Sequence, residues 1–206
     1  AERPDHLVVG EELGADGAGG PGRSRWIIDP IDATKNYVRG IPVFATLIAL
    51  ERDGALALGV ASAPALGRRW WAARGEGAFA NGAPVHVSRV ARLADAQLGH
   101  ASISSWAAAG LRDRFLELER RCWRGRGFGD FWMHMLVAEG AVDVAAEPEV
   151  SLWDVAAVQV ILKEAGGRFT SLEGAPRPDG GSAVSSNGLI HDEVLSILAA
   201  PSPAGP

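Results

Sequence analysis

The chain has 206 residues, 47% of them hydrophobic, enough to bury a real core as one large domain or two small ones. A net charge of −5 excludes general nucleic-acid binding, which needs a basic surface. Cys122 is the only cysteine, and neither an apolar run of about 18 residues nor a signal-peptide pattern occurs; this excludes an internal disulfide and a membrane span, and predicts a soluble cytoplasmic protein.

Leu7-Val8-Val9 is a short strand candidate, followed by Gly10-Glu11-Glu12. By itself this glutamate pair reads as a solvated loop. Gly14 to Gly22 is glycine-rich with a proline and predicts a flexible loop. The stretch around which the chain is organised runs from Trp26 to Asn36. Its apolar residues predict a short buried strand that Pro30 ends, because proline supplies no ladder donor. Asp29 and Asp32 follow within one turn of chain, with no cationic neighbour before Lys35. Carboxylates this close repel unless a cation sits between them, and Mg²⁺ is a hard ion that favours such oxygens. Ala33-Thr34-Lys35-Asn36 can open a helix whose free N–H groups face an anion. Together these features suggest phosphoryl chemistry; the alternative for an acidic pair at a strand end is a solvated turn or a helix cap.

Val43 to Leu50 and Leu56 to Ser62 are apolar runs joined around Asp53-Gly54, a strong hairpin signal. Their near-continuous apolar character predicts a sheet covered on both faces. Arg69 to Ala72 and Pro84 to Val87 add short strands, and Trp70-Trp71 predicts one ring inward and one at an edge. After a strand near Gln97 to Ser102, the spacing of Leu111, Phe115, Leu118 and Cys122 predicts a structural helix with Cys122 in the core. A helix over Phe131 to Glu139 and a strand over Ala141 to Glu147 follow. A second helix runs from Val155 to Ala165, with Asp154 placed as its N-cap. Late strands at Arg168 to Thr170 and Ala183 to Ser186, then a helix over Asp192 to Ala199, complete the chain.

Trp26-Ile27-Ile28-Asp29-Pro30-Ile31-Asp32-Ala33-Thr34 resembles the first signature of the inositol monophosphatase family, W-x-x-D-P-I-D-G-T, with Ala33 in place of its glycine. Trp153-Asp154-Val155-Ala156-Ala157 through Gly166-Gly167 resembles the second, and Gly10-Glu11-Glu12 matches a G-E-E ahead of the first. The resemblance runs from about Leu7 to Ala199. It implies an α/β fold of layered, alternating helices and sheets of the inositol monophosphatase / sugar phosphatase type. Residues 1–200 would form one phosphatase domain lacking the helical segment that relatives carry at the N-terminus, and residues 201–206 a disordered tail.

The same resemblance implies Mg²⁺ held by Glu11, Asp29, Asp32, Asp154 and the carbonyl of Ile31. Phosphate would be bound by the N–H groups of Ala33 and Thr34, with Glu11 and the Thr34 hydroxyl positioning the attacking water. Gly129-Asp130-Phe131, Lys35 to Gly40 and Ala63 to Arg69 resemble the bacterial histidinol-phosphate phosphatase branch. Histidinol phosphate carries an ammonium and an imidazole, which a carboxylate at Asp130 would attract. Glu147 matches a family glutamate that contacts the substrate alcohol; otherwise it reads as a strand-end surface residue.

The expected function is Mg²⁺-dependent hydrolysis of a small phosphate monoester, histidinol phosphate first, by a protein with no nucleic-acid or membrane partner and with a homodimer allowed. The alternatives are an inositol or other sugar-alcohol phosphatase, and a truncated, non-catalytic member that only binds metal or a partner. Ala33 is expected at negative φ; at positive φ, alanine would store about 1–2 kcal/mol, displace the helix start and mark a disabled site.

Overall fold

The computed structural model describes residues 6–12 and 23–199. The expected loop from Gly14 to Gly22 and the expected tail at 201–206 lie outside the described residues. Strand β1 (Leu7–Gly10) pairs in parallel with β2 (Ser24–Asp32), and a short helix, α1 (Thr34–Val38), follows β2 in the chain. From β2 an antiparallel meander continues through β3 (Ala45–Arg52), β4 (Ala55–Ala63), β5 (Arg68–Ala73), β6 (Ala78–Ala80) and β7 (Ala83–Val85). Asp53 and Gly54 both take positive φ, 54° and 75°, as the tight turn between β3 and β4 requires.

The second sheet is built from β8 (Gln97–His100), β9 (Arg124–Arg126), β10 (Val144–Glu147), β11 (Arg168–Thr170) and β12 (Ala183–Ser186), in the spatial order β11-β12-β10-β8-β9. Helices α2 (Ile103–Ala108) and α3 (Arg112–Arg121) precede β9, and α4 (Asp130–Ala138) precedes β10. Helix α5 (Leu152–Glu164) follows β10, and α6 (His191–Ala199) comes last. Among the described residues, no helix is long and apolar enough to cross a membrane.

The layers follow from where alternate residues point. On β10, Ala145 enters the core that α4 and α5 form between the sheets, whereas Val144 and Ala146 enter a second core with Trp106, Phe115, Leu118 and Val194. Helix α5 is apolar on nearly every side because a sheet lies against each of its broad faces. Gly59 on β4 lets that helix come close: a Cβ there would lie 2.5 Å from the Ala157 carbonyl oxygen. Trp70 is buried against Phe131 while Trp71 stacks on Phe79 at the surface, the division expected of the pair. Cys122 is buried, and burial pushes its thiol up to about 12, so it is an inert core residue.

One expectation for the first sheet fails. Ala45, Leu47 and Ala49 face α5 and are buried, but Thr46, Ile48, Leu58, Val60 and Trp71 line an open surface on the other side. Among the described residues only one face of β3 and β4 is covered. The apolar composition of these strands concealed an ordinary period-two alternation.

His191, at the start of α6, is wholly buried and shares hydrogen bonds with Ser186 Oγ (2.8 Å) and Thr170 Oγ1 (2.9 Å). Burial first, and the Arg168 charge second, push its pKa from 6.5 down to about 4. Between these values the unfolded chain binds a proton that the folded chain does not. This contribution to stability is therefore full above about pH 6.5 and is lost as pH falls towards 4, by up to about 3 kcal/mol. Urea midpoints measured from pH 7 to 4.5 should fall more steeply for the wild type than for His191→Gln. Equal slopes would show that His191 is not responsible.

Candidate active site

A bulge in β2 assembles the site. Asp29 pairs with Leu47 and Asp32 with Ala45, so β2 carries one more residue than β3 over this interval. In a regular strand, residues three apart point to opposite faces. The extra residue cancels that, and both aspartates are buried on one side. Pro30 lies within the bulge, where its missing donor is tolerated, and its carbonyl accepts from Thr46 Oγ1 at 2.8 Å. The strand therefore runs through Pro30 to Asp32 rather than ending at the proline.

Asp154 joins the two from α5. The helix begins at Leu152, not Val155, so Asp154 is its third residue and Ser151 the N-cap. The Ser151 N–H donates to Asp154 Oδ2 at 2.8 Å. In the same way the Ile31 N–H donates to Asp29 Oδ1 (2.9 Å) and the Phe131 N–H to Asp32 Oδ2 (3.1 Å). Each carboxylate is thus oriented through one oxygen, and the other has no protein donor among the described residues.

Asp29, Asp32 and Asp154 present ligand atoms that all lie within 4.8 Å of one another. Burial and the neighbouring negative charges push Asp29 up to about 7 and Asp154 to about 6. Asp32 is raised well above the usual carboxylate range by burial and by Asp130. Three oriented carboxylates whose ionisation is opposed by one another fit a hard divalent cation, which would remove that opposition. Glu11 lines the same cavity and its charge raises Asp29 and Asp154, but it stands outside the 4.8 Å cluster.

The cavity has a volume of about 760 Å³, and Ile31, Ala33, Thr34, Asp130 and Glu147 also line it. The Thr34 hydroxyl donates to the Ile31 carbonyl at 2.8 Å, which leaves its oxygen able to accept from a water. Ala33 overturns the expectation of a normal backbone: its φ is 64° and ψ 43°, in the left-handed region. The chain must turn sharply out of the bulge so that the Ala33 carbonyl can accept from the N–H groups of Asn36 (2.9 Å) and Tyr37 (3.1 Å). Positive φ is expected to displace the helix start and mark a disabled site; the displacement does not follow, because α1 still begins at Thr34, and Asp29, Asp32 and Asp154 still come together around the turn, so positive φ alone is not that mark. The strain should therefore appear in stability. Ala33→Gly is expected to stabilise the protein by about 1 kcal/mol, or about 2–4 °C in Tm, with at most a modest gain in phosphate affinity. An unchanged or lower Tm would show that the turn carries no strain.

Asp130 and Glu147 line the same cavity. Asp130 opens α4 at φ 47°, a second strained position in the cavity. Burial and Glu147 raise its pKa, while Lys35 and His134 lower it. Glu147 is not the strand-end surface residue that its position allowed; it is buried and bonded through Oε1 to His134 Nε2 at 2.9 Å. Sequence reasoning missed His134, concealed in an apolar helix, and His100, another cavity residue, whose Nδ1 donates to the Ala101 carbonyl at 2.7 Å. A histidine inside a helix that is otherwise buried was the available signal for His134, since such a ring needs polar partners.

Layered sheets and helices around an oriented carboxylate cluster that fits a divalent cation define an α/β protein with an acidic cavity between its elements. The chain belongs to the inositol monophosphatase family, whose model matches residues 1–200. It is 58% identical over 202 residues to a histidinol-phosphatase of Mycobacterium tuberculosis, a match covering 96% of this chain and 77% of that protein. A histidinol-phosphatase of Streptomyces coelicolor is 53% identical over 95% of this chain and 76% of its own length. Among solved structures, an inositol monophosphatase from Anabaena superposes with a TM-score of 0.87 at 30% identity, over 98% of this chain and 81% of that one.

Proposed function

We propose that this chain hydrolyses histidinol phosphate to histidinol and phosphate in a Mg²⁺-dependent reaction. The observation that carries this reading is one cavity lined by three mutually close carboxylates and by two further acidic residues, Asp130 and Glu147. The three close carboxylates suit a cation that meets a phosphate, and the two further ones suit a cationic alcohol. Inositol, which offers only hydroxyls, would gain little from the latter pair. The names of the two histidinol-phosphatase relatives support the same substrate.

In this mechanism Asp29, Asp32 and Asp154, with Glu11 and the Ile31 carbonyl, would hold Mg²⁺, which would lower the pKa of a water and offset charge on the phosphate. The N–H groups of Ala33 and Thr34, at the start of α1, would donate to the phosphate oxygens. Thr34 Oγ1, its proton directed at Ile31, accepts from the attacking water, and Glu11, which lines the same cavity, helps to orient it. Water oxygen bonds to phosphorus as the ester P–O bond breaks, and the proton that the water loses is balanced by the one the leaving alkoxide takes up to become the alcohol. Asp130 and Glu147 keep that alcohol placed through its positive groups.

The test is phosphate release from histidinol phosphate and from inositol 1-phosphate, with Mg²⁺ and after EDTA treatment. Turnover should require the metal and favour histidinol phosphate. Equal rates on both esters would reject the substrate, and undiminished turnover in EDTA would reject the metal.

A further inference from the structure

His134 is 1% exposed, four residues after Asp130 on α4, so the two side chains share a helix face one turn apart. Its Nε2 lies 2.9 Å from Glu147 Oε1, and its Nδ1 lies 2.7 Å from the buried Ser185 Oγ on β12. A carboxylate can only accept, so Nε2 carries the proton towards Glu147. With a neutral ring, Nδ1 then accepts from the Ser185 hydroxyl. This chain runs from the buried Ser185 through His134 to Glu147 at the cavity, and the chemistry proposed above uses Glu147 but neither Ser185 nor His134.

Glu147 needs such a support. The three aspartates of the metal cluster are each fixed by a backbone N–H, but Glu147 is a longer side chain whose one hydrogen-bond donor among the described residues is His134. Its charge raises both Asp154 and Asp130, so it lies near the metal cluster as well as near Asp130. Without a fixed partner it could turn towards either.

We infer that His134 is a positioning residue: it holds Glu147 by one oxygen so that the other serves the alcohol half of the substrate, and it thereby sets the preference for cationic phosphate esters. This rests on the substrate reading above. Glutamine at 134 can place an N–H near the position of Nε2, whereas asparagine places one near Nδ1 and loses Glu147. Asparagine also leaves more empty space than glutamine at this buried position, so what separates positioning from packing is whether the defect falls on histidinol phosphate alone or on both esters.

The experiment measures KM and kcat for histidinol phosphate and p-nitrophenyl phosphate in wild type, His134→Gln, His134→Asn, Glu147→Ala and the His134→Asn/Glu147→Ala pair. His134→Asn should raise KM for histidinol phosphate roughly tenfold, with a far smaller change on the nitrophenyl ester, and His134→Gln should restore most of it. Added to Glu147→Ala, His134→Asn should change KM by less than about twofold, because its effect passes through Glu147. Equal defects in the Gln and Asn variants, or additive effects in the pair, would overturn the inference. A wild type with no preference for histidinol phosphate would remove the substrate reading and this inference together. A preference that survives His134→Asn would remove this inference alone.

Discussion

Asp29→Asn and Asp154→Asn are each expected to abolish phosphatase activity, lowering turnover by about three orders of magnitude or more. Each side chain supplies one of the three mutually close carboxylates and keeps one oxygen on a backbone N–H. The amide substitution removes a full charge from a site that must hold a hard cation, so the ion is bound weakly and the water it activates is misplaced. Activation and charge stabilisation by a metal account for several kcal/mol of barrier, and each 1.36 kcal/mol is tenfold in rate. A second readout has the opposite sign. Without metal, burial and mutual repulsion hold Asp29 at about 7 and Asp154 at about 6, so the amide variants relieve unfavourable charge. Their metal-free Tm should equal or exceed the wild-type value, while the rise in Tm on adding Mg²⁺ should disappear. Near-normal activity in either variant, or a retained Mg²⁺ shift in Tm, would remove the residue from the metal site.

Asp130→Ala and Glu147→Ala are expected to impair histidinol phosphate far more than a small generic phosphate ester. Losing a charge-assisted contact to an ammonium or imidazolium costs roughly 1.5–3 kcal/mol, about ten- to a hundredfold in kcat/KM. The generic ester makes neither contact. Asp130 carries an additional term, because alanine at its φ of 47° inherits the backbone strain without the short polar side chain that tolerates it. Thermal melts of Asp130→Asn and Asp130→Ala separate that cost from the loss of charge. Equal losses on both esters would give these two residues a role in the metal site or the fold and not in substrate preference.

The elements of this protein were legible because they depend on local rules. Asp53-Gly54 predicted its hairpin through the positive φ its turn requires, and the helical spacing of Leu111, Phe115 and Leu118 marked α3. Read without the family resemblance, Glu11 is a loop residue and Asp154 a helix cap; the four acidic residues proposed for the metal could be named because two motifs and a G-E-E resemble those of the family. How they meet could not. Asp29 and Asp32 share a side only because β3 enforces a bulge, and Pro30 read alone marks the end of a strand, whereas paired with β3 it marks the bulge. Ala33 read alone favours negative φ; the requirement to leave that bulge and deliver its carbonyl to Asn36 and Tyr37 outweighs about 1–2 kcal/mol of local preference. Glu147 and His134 stand 13 residues apart on a strand and a helix, and no periodicity links them. Local propensity, turn chemistry and motif spacing act over a few residues and are written in the sequence. The face a side chain points to, the donor that fixes a buried carboxylate and the strain a turn must carry are set by contacts between distant segments, and exist only once the sheets and helices have packed.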